Sequence, residues 1–137
     1  MFLLDTNVLS ELRSRKRTDP NVAAWFDGVH SSDLYLSAVT ILEIEWGTLS
    51  LVRKDPAQGK ILRSWIDTRV LPSFKGRILP VDTDVALRCA SLHVPNRRAE
   101  RDAFIAATAL VHRLKVATRN VSDFEPMGVP TVNPWVS

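Results

Sequence analysis

A helix, a strand and a polar loop follow one another between Asp102 and Phe124 with almost no spacer, and that unit limits what the chain can become. Phe104, Ala107, Leu110/Val111 and Leu114 recur at helical spacing. Ala103, Ala106, Ala107 and Ala109 leave one face small enough for a close neighbour. Asp102 stands at the start of this helix, where a negative charge suits the positive end of the helix dipole. The following strand, Val116 to Thr118, is short and buried in character, and it runs into the polar loop Arg119-Asn120-Val121-Ser122-Asp123. If the strand is parallel and central, its C-terminal end is where open α/β sheets place ligands. Asp102 and Asp123, which flank the unit, then become candidates for a site.

The rest of the chain repeats the same grammar. Phe2-Leu3-Leu4 is a first apolar strand ending in Asp5, followed by the cap residues Thr6 and Asn7 and a helix beginning Val8, Leu9, Leu12. A basic run, Arg13 to Arg17, comes next, and Asp19-Pro20 opens a helix with proline in its first turn. Leu34-Tyr35-Leu36 is a second strand, and Ser37 caps a longer helix from about Val39 to Val52. Asp55-Pro56 starts another helix that carries Ile61, Leu62, Trp65, Ile66 and Val70 and ends at Leu71-Pro72. Ile78-Leu79-Pro80-Val81 reads as an edge strand, because proline cannot donate to a ladder. Asp82 or Thr83 caps a helix through Leu92, and a last strand lies around Thr131-Val132. Short, near-continuously apolar strands alternating with helices predict an α/β fold with a mainly parallel sheet sandwiched between helices.

At 137 residues and 45% hydrophobic content, residues 1–137 suit one domain with a sizeable core. MFLLD meets an acid at once and lacks the basic leader of a signal peptide, and no apolar run reaches membrane length. The single cysteine, Cys89, permits no intrachain disulfide and fits a reducing compartment, so a cytoplasmic location is expected. A pI near 9.4 permits a polyanionic partner. The basic run Arg13 to Arg17, with Arg15, Lys16 and Arg17 at its centre, and the loop holding Arg98 and Arg101 are its candidate contacts, with a solvated loop as the other reading of both.

Four acids fall where the strands would gather them: Asp5 after the first strand, Glu43 about a turn into the helix after the second, Asp102, and Asp123 beyond the fourth. Each also has a local role open to it. Asp5 can accept from the turn that follows, Glu43 completes a Thr40-x-x-Glu43 capping box, Asp102 can cap its helix, and Asp123 can close an Asx-turn. Together they make another case, since a carboxylate abutting an apolar strand, as Asp5 does, needs a counter-charge. His30, His93 and His112 are scattered without ligand spacing. Oxygen-only donors suit Mg²⁺ or Mn²⁺ rather than zinc, and ions so held can activate water for in-line displacement at phosphorus.

Four segments, FLLDTNVLSEL (2–12), LSAVTILEIEWG (36–47), RDAFIAATALVHRLKVATRN (101–120) and SDFEPMGVPTVNPW (122–135), resemble the PIN-domain ribonucleases, in particular the toxins of VapBC-type toxin–antitoxin pairs and their FitB-like relatives. The resemblance spans almost the whole chain in the family's order. It implies a three-layer α/β/α fold and Mg²⁺- or Mn²⁺-dependent endonucleolytic cleavage of RNA. The family's acidic positions match Asp5, Glu43, Asp102 and Asp123, and its Thr-x-Asn matches Thr118 and Asn120, as groups that orient an acid or a water. It also implies a homodimer and an antitoxin protein whose tail docks in hydrophobic grooves.

These readings give a metal-dependent endoribonuclease, the toxin of such a pair, with Arg98 or Arg101 clamping a phosphate beside the acids. The rival is a non-catalytic RNA-binding or regulatory α/β domain with at most a structural Mg²⁺. A phospho-receiver is its nearest form, but no lysine follows the fourth strand here as that pattern requires.

Overall fold

A computed structural model of the chain describes residues 1–136. Strand β1 (Phe2–Leu4) leads into α1 (Thr6–Glu11) and α2 (Pro20–Asp27); β2 (Leu34–Ser37) leads into α3 (Ala38–Lys54) and α4 (Pro56–Trp65). A π-helical turn (Ile66–Val70) and α5 (Leu71–Ser73) precede β3 (Ile78–Leu79). Helices α6 (Thr83–Leu92) and α7 (Glu100–His112) precede β4 (Lys115–Ala117), and α8 (Val121–Phe124) precedes β5 (Thr131–Val132). The five strands form one parallel sheet in the order β3-β2-β1-β4-β5. β3 lies at the edge of the sheet and stops at Leu79, shorter than the expected Ile78–Val81, so that Pro80 falls just outside the ladder.

Alternation along β1 builds the three layers. Leu3 packs with Val116 of β4 against Val85 and Cys89 of α6 and Ile105, Ala106 and Ala109 of α7. Leu4 turns the other way and joins Leu34, Leu36 and Ala117 beneath Val8, Leu9, Ile44 and Ile66. Leu3 and Leu4 are both fully buried, and each contributes about 1.5–3 kcal/mol of apolar transfer free energy. The central strands β1, β2 and β4 are mostly buried, while the edge strands β3 and β5 stay partly exposed.

Register sets the C-terminal edge. Leu3 is paired with Tyr35 and with Val116, so β1, β2 and β4 finish side by side. Asp5 N–H then donates to Ala117 C=O at 2.9 Å, and Thr118 N–H to Val132 C=O at 3.0 Å.

Three local features lay outside the sequence reading. The spacerless passage from α7 to β4 turns on Arg113, whose φ of 57° is left-handed, with Leu114 N–H bonded to Ala109 C=O at 2.8 Å. The helical course after Asp55 does not stop at Leu71-Pro72 but continues to Ser73. Leu71 N–H reaches back five residues to Ile66 C=O, and that wider turn makes room for the proline ring. Gly59 lies against α3 so closely that a Cβ would stand 2.6 Å from Val52 Cα. No helix among the described residues is long and apolar enough to cross a membrane.

Candidate active site

Asp5 is fully buried at the end of β1, where it caps α1. Its Oδ1 accepts from Thr6 N–H at 2.8 Å, while Oδ2 accepts from Thr118 Oγ1 at 2.8 Å and Asn7 Nδ2 at 3.3 Å. Burial of an anion is tolerated only with such partners. Thr118 is itself buried and accepts from Asn120 N–H at 3.0 Å. The Thr-x-Asn pair therefore positions Asp5, with Thr118 acting through its hydroxyl and Asn120 through its backbone.

Glu43 is no capping-box residue. Ser37 caps α3, accepting from Val39 N–H at 3.0 Å, and Thr40 lies inside the helix. One turn on, Glu43 is aimed back over the sheet edge, and its Oε1 accepts from Thr6 Oγ1 at 2.7 Å. Asp102 is likewise not a cap; that position is Ala99, and Asp102 sits in the first turn of α7.

Arg101 joins these acids. Its Nε donates to Glu43 Oε2 at 2.6 Å, Nη1 to Asp102 Oδ1 at 2.5 Å, and Nη2 to Asp5 Oδ1. The arginine expected to clamp a substrate phosphate thus spends its fork on the protein's own carboxylates. Burial opposes its charge, but the carboxylates of Asp5 and Glu43 outweigh that and hold the guanidinium above its usual pKa. For Asp102, burial raises the carboxyl pKa, Arg101 lowers it, and the charges of Asp5 and Asp123 raise it again; the net is upward. Asp123 is exposed and lies in α8 rather than in a loop, bearing on Asp102 by charge alone.

The structure thus brings three of the four predicted acids onto one cation and leaves the fourth at the rim. Among the described residues, no three His, Cys, Asp or Glu side chains form a ready metal-holding group, and the Arg101 fork stands between Asp5, Glu43 and Asp102. The donor chemistry nonetheless fits a hard divalent cation: oxygens only, from three elements, converging on a point already taken by positive charge.

The basic candidates divide. Arg15 is drawn away to Asp27 at 2.5 Å, and Arg98 donates its backbone N–H to His93 Nδ1 at 3.0 Å. Lys16 and Arg17 line a cleft of about 630 Å³ together with Arg13, Arg69 and Trp65. A second cavity of about 410 Å³ shares Arg13 and Trp65 with it and is bordered by Thr6 and Glu43. A basic trough therefore runs up to the acids. Sequence reasoning missed Thr6, Asn7 and Arg69; the signal for the first two was the pair of short polar side chains directly after Asp5, read only as caps.

The PIN domain family model matches residues 2–125, a span that holds all four acids. The chain belongs to the PIN-domain family. Within the family it is 38% identical to the VapC ribonuclease Y4jK of Sinorhizobium fredii, with 98% of each chain covered. It is 39% identical to Toxin FitB of Neisseria gonorrhoeae over 98% of this chain and 99% of that one. A crystal structure of FitAcB from Neisseria gonorrhoeae superimposes on this PIN domain with a TM-score of 0.91 at 37% identity, covering 100% of both chains.

Proposed function

We propose that this protein is a divalent-metal-dependent endoribonuclease and the toxin of a toxin–antitoxin pair, acting in the cytoplasm where its RNA substrates lie. The observation that carries the reading is the meeting of Asp5, Glu43 and Asp102 on one cationic point at the C-terminal edge of the parallel sheet. Relatives named as a VapC ribonuclease and as a toxin support the same reading.

Asp5, Glu43 and Asp102 would hold Mg²⁺ or Mn²⁺, with Asp123 completing the set from α8. Such an ion, when bound, lowers the pKa of a coordinated water and offsets the charge that builds on the phosphoryl oxygens. Thr118 and Asn7 hold Asp5 in one orientation, and Thr6 does the same for Glu43. One carboxylate of the set takes the proton of the attacking water. Arg13, Lys16, Arg17 and Arg69 draw the RNA backbone along the trough toward the acids. An antitoxin and a second copy of the chain are the protein partners, with the outward-facing apolar residues of α3 as the surface for them.

The test is end-labelled and total bacterial RNA incubated with purified protein in Mn²⁺ and in EDTA, beside Asp5→Asn. Internal cleavage that needs both the metal and Asp5 is expected. RNA left intact by the wild type in Mn²⁺ would leave only the non-catalytic reading.

A further inference from the structure

A guanidinium is a planar fork with five N–H donors. In Arg101 each of the three nitrogens serves a different acid, and those acids come from three elements: Asp5 after β1, Glu43 in α3 and Asp102 in α7. Asp5 is 0% exposed, but the Arg101 side chain is 33% exposed, so the fork has a way out to water that the innermost acid lacks.

We propose that Arg101 is a built-in counter-cation of the acidic centre, holding Asp5, Glu43 and Asp102 together while no metal ion is bound, and that a divalent cation takes those carboxylates by displacing it. The inference rests on the metal-dependent reading above and adds the competitor that the ion must remove.

The geometry requires competition. Asp5 Oδ2 is occupied by Thr118 and Asn7, and Glu43 Oε1 by Thr6. Of the other oxygens, Glu43 Oε2, Asp102 Oδ1 and Asp5 Oδ1, the last also accepting from Thr6 N–H, are those on which Arg101 sits. A divalent ion bonds oxygens at about 2.0–2.1 Å in the case of Mg²⁺, closer than any hydrogen bond, so ion and fork exclude each other there. One guanidinium balances only one of three carboxylates, so a doubly charged ion at the same oxygens is the better match. Apparent metal affinity is then the intrinsic affinity scaled by the fraction of molecules with the fork swung out. The same contact steadies the metal-free protein, since carboxylates crowded at one edge repel when nothing stands between them.

The experiment measures Mn²⁺ binding by calorimetry on metal-stripped wild type, Arg101→Gln and Arg101→Lys, with thermal melts of each in EDTA and in Mn²⁺. Arg101→Gln is expected to bind Mn²⁺ roughly tenfold tighter or more, as a fork seated ten to one would dictate. It should also melt below wild type in EDTA and rise further with Mn²⁺. Arg101→Lys, which keeps the charge without the fork, should fall between the two. Equal or weaker Mn²⁺ affinity in Arg101→Gln overturns the proposal. If the variants do not fold, ¹⁵N spectra of the wild type decide: the Arg101 Nε–H, bonded to Glu43, should be slow to exchange without metal and exchange freely at saturating Mg²⁺. A resonance unmoved by Mg²⁺ overturns it. RNA cleavage is scored separately. Cleavage with unchanged Mn²⁺ affinity in Arg101→Gln removes the counter-cation and leaves the ribonuclease standing. Tighter Mn²⁺ binding with no cleavage by any form supports the counter-cation and sinks the ribonuclease. No Mn²⁺ binding by any form overturns both.

Discussion

At the scale of single residues, Asp5 carries the most. Its two oxygens accept from Thr6, Asn7, Thr118 and Arg101, and no water reaches it. Asp5→Asn keeps the cap, because an amide oxygen still accepts from Thr6 N–H, but it removes an anion from the cation seat. Asp5→Asn and Asp102→Asn are expected to lower RNA cleavage on the order of 100-fold or more with an unchanged circular dichroism spectrum. Asp123→Asn should also lower it, since that charge already bears on Asp102; cleavage at the wild-type rate would exclude Asp123 from the set. Thr118→Val probes the support behind the acid. The shapes match, but the hydroxyl that donates to Asp5 and accepts from Asn120 N–H is lost in a buried place. A loss of about 1–3 kcal/mol is expected from urea denaturation, and a loss below a few tenths would mean that water replaces the hydroxyl.

Among the elements, α3 and α4 form the most telling pair. Gly59 allows α4 to lie against Val52 of α3, and a methyl there would meet backbone as well as side chain. Gly59→Ala would ordinarily favour a helix, yet here it should destabilise by about 1–3 kcal/mol, because the obstructing atoms are not free to move. A urea titration showing Gly59→Ala as stable as wild type would mean the helices part without cost. The consequence reaches the site, since α3 carries Glu43 and α4 brings Trp65 to the trough.

For the whole molecule, a basic trough and an exposed apolar stripe are the two surfaces open to partners. Arg13, Lys16, Arg17 and Arg69 line the trough, whereas Arg15, adjacent in sequence, is turned to Asp27. Reversing Arg13, Lys16 and Arg17 to Glu should weaken RNA binding and shallow the log–log salt slope by about 2, as three lost phosphate contacts on a single strand require. Filter binding from low to high salt measures this, and an unchanged slope would assign the trough to solvent. Elsewhere Leu42, Trp46 and Leu49 stand 58%, 68% and 55% exposed on α3 at helical spacing. An apolar stripe of that kind marks an association surface. Light scattering should find the wild type dimeric at micromolar concentration or bound to an antitoxin, and Trp46→Asp impaired in one or both. Trp46→Asp indistinguishable from wild type in both assemblies would clear the stripe of that role.

The sequence alone was enough for the main strands and helices and for the address of three acids, whereas Asp123, read in a loop, lies in α8. Strands as short and apolar as Phe2–Leu4 and Lys115–Ala117, set among amphipathic helices, admit little besides a covered parallel sheet, and Asp5, Glu43 and Asp102 could be placed at its edge by counting from strand ends. These are local facts, decided by periodicity and caps within a few residues. What the acids touch is decided by residues far apart in the chain: Thr6 and Glu43 by 37 positions, Arg101 and Asp5 by 96, Thr118 and Asp5 by 113. No local pattern tells Arg101, seated among the acids, from Arg15, which turns to Asp27. That choice follows from strand register, which aligns the ends of β1 and β4, and from the first turn of α7, which aims one guanidinium at the charge gathered there. A side chain's partner is fixed by where the buried backbone can go, and only the folded chain decides that.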